Sequence, residues 1–101
     1  MSAPSVLAAA KKGDTQTLRL LIDAKANIHV RDKSGLTPLM CAVDIDNVEC
    51  LQMLLDAKAD INAKTGAHGS ALMRAANSGH TASAQILIER KADLEVKNEH
   101  N

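Results

Sequence analysis

No Phe, Tyr or Trp occurs anywhere in the 101 residues. That removes any base-stacking platform and any aromatic cage for a cationic ligand. A surplus of either charge is missing too, since 12 basic residues balance 12 acidic ones. Without a basic excess the chain lacks the electrostatic footprint of a general nucleic-acid binder. No apolar run approaches the ~18 residues that a membrane-spanning helix needs. A charged start followed by an apolar stretch is absent as well, so no secretory signal is expected. Proline is reduced to Pro4 and Pro38, and cysteine to Cys41 and Cys50. Neither thiol has a histidine at ligand spacing, so both read as small buried hydrophobes rather than metal ligands. A disulfide is not expected in a chain that reads as intracellular, either cytoplasmic or nuclear.

Catalytic patterns are equally scarce. His29, His68, His80 and His100 have no Cys, Ser or carboxylate partner at a spacing that implies nucleophilic or metal chemistry. The stretch GAHG at 66–69 lacks the strand and the Lys-Ser/Thr of a phosphate-binding loop. The expectation is a chain that is not an enzyme, with no catalytic residue, no metal and no cofactor.

What is present is a unit of structure running from Asp32 to Lys64. Gly35 is free to take a positive φ and close a tight turn. Thr37 stands where a helix N-cap belongs, with Pro38 at the first helical position. Leu39, Met40, Ala42 and Val43 make the apolar face of a short helix. Asp46-Asn47 breaks it, and both residues tolerate a left-handed turn. A second helix follows from Val48 to about Ala57, with Val48, Leu51, Leu54 and Leu55 on one face. Ala59-Asp60-Ile61-Asn62 leads out as an extended arm. Two short helices and an arm cannot enclose a core, so the unit needs a neighbour on each side.

The neighbours are in the sequence. Ala26, Ala59 and Ala92 recur every 33 residues, as do Ala9, Ala42 and Ala75, and Leu21, Leu54 and Leu87. LLIDAKAN, LLDAKADIN and LIERKADLE are three copies of one phrase. A 33-residue period, a TPL helix start and an LL-x-x-x-A-D close together resemble the ankyrin repeat. The resemblance covers nearly the whole chain. It implies an all-α solenoid of three stacked repeats, each a helix-turn-helix with a β-hairpin arm. One domain, 1–101, is expected, with repeats at about 1–31, 32–64 and 65–97 and a polar tail at 98–101.

The chain departs from the family pattern at defined places. The histidine of the TPLH start is Met40 and Met73, and the third repeat begins Ser70-Ala71-Leu72. The helix-ending glycine is Lys25, Lys58 and Lys91. The glycine between helices survives as Gly13 and Gly79 but is Asp46 in the middle repeat. These substitutions predict non-glycine residues in the left-handed region. The first repeat has no preceding arm and reads as an N-terminal cap. The third is more polar than the second: Cys41 becomes Arg74, Ile45 becomes Ser78, and Cys50 becomes Ser83. That reads as a C-terminal cap, or else as drift inside a longer array.

In the resembled family, partners meet the arm tips and the inner face of the first helices. Carried over position by position, this names Lys33, Ser34 and Leu36 at the middle tip, Asp44 and Ile45 on its helix, and Lys64 closing the repeat. The third repeat offers Gly66, Ala67, Gly69, Asn77, Ser78 and Lys97, and the first Lys11, Lys12 and Arg31. The charged members are six basic against one acidic, whereas Asp23, Glu49, Asp56 and Glu89 map to the second helices on the back. The expected activity is protein–protein interaction by a monomer, as a small inhibitor or adaptor with an acidic partner, and without nucleic acid or membrane. The alternative is an ankyrin-repeat piece of a larger protein with a structural or targeting role. Asn62 resembles a position at which the family can carry hydroxylation; the plainer reading is an Asn that supports the arm.

Overall fold

A computed structural model describes residues 5–66 and 69–92. Within them the chain forms six helices: α1 Val6–Lys12, α2 Thr15–Asp23, α3 Pro38–Asp44, α4 Val48–Asp56, α5 Ala71–Ser78 and α6 Thr81–Glu89. They pair antiparallel as α1/α2, α3/α4 and α5/α6. The pairs stack in chain order, α1 on α3 on α5 along one side and α2 on α4 on α6 along the other. The stack measures 42 × 26 × 21 Å.

Each first helix starts on a hydroxyl cap. Ser5, Thr37 and Ser70 accept hydrogen bonds from the N–H groups of Ala8, Met40 and Met73 at 3.0, 3.3 and 3.4 Å. Each satisfies one of the amides that a helix start leaves without a partner. Every first helix ends on a left-handed residue: Gly13 (φ 72°), Asp46 (φ 53°) and Gly79 (φ 71°). Every second helix does the same at Lys25, Lys58 and Lys91, with φ of 65°, 73° and 69°. The reversals let two successive N–H groups reach back to the last helical carbonyls, as Lys58 does to Leu55 and Ala59 to Leu54, both at 3.0 Å. The predicted left-handed lysines and the break at Asp46-Asn47 are therefore all present.

The core is thin and lies between the layers. Leu18, Leu51 and Leu54 of the second helices and Ala42 and Val43 of α3 are fully enclosed, joined by Leu39 and Met40 at 2% and 1% exposure. Burying each such leucine stabilises the stack by about 1.5–3 kcal/mol relative to leaving it in water. Cys41 and Cys50 are buried among them as free thiols. The second repeat holds most of this core, because it alone has a neighbour on both sides within the described residues.

The arms are hairpin turns without strands among the described residues. The second is closed by Asp32, whose N–H donates to the Leu36 carbonyl at 3.0 Å. The Asp32 carboxylate accepts from the N–H groups of Ser34 and Leu36 at 2.8 and 2.9 Å. In the third arm Thr65 and Gly69 form one isolated antiparallel bridge. A side chain closing the turn locally takes the place of the ladder that a longer hairpin would build.

Two of the polar residues of the third repeat are spent on the second repeat. Arg74 makes a two-pronged contact with Asp44, Nε to Oδ1 at 3.0 Å and Nη2 to Oδ2 at 2.7 Å. Ser83 is wholly buried. Its N–H and hydroxyl both donate to Asp46 Oδ1, at 3.2 and 2.5 Å. His80 lies at the start of α6 and provides no side-chain cap there. Asp46, from the repeat before, caps α6 across the interface.

Candidate functional site

Inter-repeat contacts tie together the arms and the first helices, the elements expected to form the partner-binding face. Lys11, at the end of α1, reaches Asp32 in the second arm at 3.2 Å. From the same arm Arg31 donates through Nη1 to the Gly35 carbonyl of its own turn at 2.8 Å and to the Lys64 carbonyl of the next repeat at 2.9 Å. Arg31 thus staples neighbouring arms together. The Arg74–Asp44 pair lies one layer further in, with 19% and 33% of the two side chains exposed.

These contacts change the charge of the face relative to the sequence expectation. Asp32 joins it as a second carboxylate and Arg74 as a further cation. Lys11 and Asp44 are each committed to an ion pair, and Arg31 to backbone carbonyls. Lys12, Lys33 and Lys64 are exposed. Hydrogen bonding from the Leu36 N–H, followed by Lys11 and Ser34, holds the Asp32 carboxyl below the usual carboxylate range, with partial burial opposing.

The remaining candidates fall into three groups. Ser34, Asn77 and Ser78 are exposed, and Ile45 is 46% exposed. Leu36 is half-buried and packs against the core, because the turn closed by Asp32 folds it inward. Ala67 and Lys97 lie outside the described residues. Asn62 is exposed in the third arm's approach, where its N–H donates to Asp60 Oδ1 at 3.0 Å. The same short turn occurs one repeat earlier, from the His29 N–H to Asn27 at 2.8 Å.

Cys41 sits behind the Lys11–Asp32 and Arg74–Asp44 pairs, and Cys50 lies in the first turn of α4. Burial pushes Cys41 up to about 11, with Lys11 nearby opposing. Burial also raises Cys50, helped by the Glu49 carboxylate. Both are therefore held as neutral, unreactive thiols near neutral pH.

The comparison with known families decides between an accidental period and a true repeat. A family model described as Ankyrin repeats (3 copies) matches residues 6–98. The chain belongs to the ankyrin-repeat family. No curated relative matches it. Ankyrin repeats generally mediate protein–protein interaction, and the match spans all three helix pairs. Among the described residues no helix is long and apolar enough to cross a membrane.

Sequence reasoning missed Arg74, Asp32 and Asp46 as functional parts of this architecture. The signal for two of them was present. Asp44 and Arg74, and Asp46 and Ser83, stand 30 and 37 residues apart, one repeat minus or plus a helical turn.

Proposed function

We propose that this ankyrin array is a non-catalytic protein-binding module that engages an acidic segment of a partner through its arm tips and first-helix ends. The binding unit is the single chain, and its role is that of a small inhibitor or adaptor inside the cell. The observations that support this reading are that Asp32 and Asp44 are engaged by Lys11 and Arg74, while Lys12, Lys33 and Lys64 are exposed. A rim of exposed cations around neutralised pairs raises the association rate for an acidic partner and disfavours basic ones. Ile45, 46% exposed, and the small polar side chains of Asn77 and Ser78 provide the adjoining contact surface.

The test is affinity capture with the whole chain as bait, followed by titration of the captured protein at several salt concentrations. Affinity falls with added salt as the rim is screened. Lys33→Glu combined with Lys64→Glu slows association. Binding that ignores both salt and the double reversal refutes the acidic-partner reading and moves the contact to Ile45 or to another face.

A further inference from the structure

Among the described residues three large apolar side chains are exposed: Leu20 at 69%, Ile88 at 50% and Ile45 at 46%. Ile45 belongs to the face described above. Leu20 and Ile88 lie at opposite ends of the array, and the repeat period relates them. Position 20 recurs as Met53 and Ile86; position 88 is the third occurrence of Ile22 and Leu55. Inside the molecule these two series meet. Ile22 of α2 and Met53 of α4 line one cavity of about 220 Å³ between the first and second repeats. In the next layer Leu55, 8% exposed, belongs to the core, and Ile86 packs against it. Ile22 therefore looks toward the following repeat and Met53 toward the preceding one. By the same register Ile88 looks out of one end of the array and Leu20 out of the other.

We infer that copies of this chain stack end to end, with Ile88 of one copy covered by Leu20 of the next. The joint reuses the interface that the molecule already contains twice, with the third pair supplied between chains. Such contact is head-to-tail, so it leaves an open end on every copy and grows into short rows rather than closed dimers. A joint with one apolar pair at its centre is weak, and the chain is monomeric when dilute. Neither Leu20 nor Ile88 is among the partner-facing positions, whereas Lys12 shares a groove with Asp14 at the leading end of the array.

A polar contact limits the joint. At the start of α6, His80 Nδ1 donates to the Val43 carbonyl of the preceding repeat at 2.8 Å. At the start of α4, Asn47 occupies the matching place, with its Nδ2 beside Gly13. The first repeat has Asp14 there, and a carboxylate has no N–H to offer the Ala76 carbonyl of the copy ahead. Asp14→Asn restores a donor, and Asn caps a second helix as well as Asp does, since Asn47 already accepts from Cys50 N–H at 3.0 Å.

The experiment is sedimentation equilibrium of the whole chain over about a hundredfold range of concentration. Interference optics are needed, for want of Trp and Tyr. The weight-average mass of the parent rises with concentration, and Asp14→Asn raises it at lower concentration. Leu20→Glu alone and Ile88→Glu alone each stay at monomer mass. Both positions are exposed, and circular dichroism confirms that both variants fold. An equimolar mixture of the two has one intact end of each kind, so it associates but stops at the dimer. A parent that stays monomeric throughout overturns the inference. So does a mixture that fails to associate, or a loss of association on one substitution but not the other.

Discussion

Asp46 and Lys58 both sit in the left-handed region, at φ of 53° and 73°, and both stand where the family pattern has glycine. Glycine at the two positions should nevertheless act in opposite directions. At Lys58 the side chain is exposed. Glycine there relieves about 1–2 kcal/mol of backbone strain. It adds about 0.4–1 kcal/mol of unfolded-state entropy. The expected result is a gain of a few tenths to about 1 kcal/mol. At Asp46 the same relief is available, but the carboxylate holds the N–H and hydroxyl of Ser83, which is fully buried. Hydrogen bonds to a charged group contribute about 1.5–3 kcal/mol each, and their loss leaves the buried partner unsatisfied. The net expectation for Asp46→Gly is a loss of about 2–4 kcal/mol.

Thermal unfolding followed by circular dichroism reads both changes. In a domain of this size 1 kcal/mol moves the midpoint by about 4–8 °C, so Lys58→Gly gains up to about 8 °C and Asp46→Gly loses about 10 °C or more. Asp46→Asn keeps the left-handed tolerance and an acceptor oxygen, and falls between parent and glycine variant. A double-mutant cycle with Ser83→Ala isolates the pair, and a positive coupling of at least about 1 kcal/mol is expected. If Asp46→Gly is neutral or stabilising, Asp46 does not hold α6 and the cross-repeat cap is wrong.

Leu54 is fully enclosed. Leu54→Ala should cost about 2–5 kcal/mol and flatten the thermal transition; a sharp transition near the parent's refutes the placement. Acid should weaken the array through Asp32 and Asp14, both held below the usual carboxylate range, Asp32 first by the Leu36 N–H and Asp14 first by the Thr17 side chain. A depressed folded value means that the stabilisation is present above about pH 4 and is lost as pH falls through the folded value, so Asp32→Asn should flatten the decline of the thermal midpoint in that window. Alkylation of Cys41 and Cys50 should be slow in the folded chain at neutral pH and fast in urea, as mass spectrometry of quenched samples will show. Arg31→Met should lower the midpoint by loosening the second and third arms, without changing the helix signal at low temperature.

The fold was legible because its determinants are local and repeated. A hydroxyl cap at Thr37, a proline at Pro38 and a reversal at Asp46 each specify backbone within a few residues, and the period copies them. The left-handed lysines could be placed for the same reason, since a helix end forces the same φ whichever residue occupies it. The arms were less legible. Whether a hairpin closes by a strand ladder or by one side chain depends on a single residue, Asp32, which no period marks: its counterpart Thr65 closes the third arm through a backbone bridge instead.

The charges of the candidate face were misjudged because each position was weighed within its own repeat. In a stack, a side chain's neighbours are its copies in the next layer, displaced by a helical step. Arg31 meets Lys64 at a separation of 33, Arg90 meets Asp56 at 34, Arg74 meets Asp44 at 30, and His80 and Ser83 meet Val43 and Asp46 at 37. A search at one period, widened by three or four residues, finds all of these pairs in the sequence. Aspartates at 44, 46 and 56 are taken up by the following repeat, whereas Lys33 lies exposed at a turn tip and Lys12 at a helix end beside Asp14 of its own repeat. Charge reversal at Lys33 should therefore leave the thermal midpoint within about 0.5 kcal/mol of the parent, as for an ordinary surface site. Reversal at Arg74 sets two carboxylates against each other between α3 and α5 and should lower it measurably. Equal effects at the two sites would mean that the rim is part of the fold and not a surface kept for a partner.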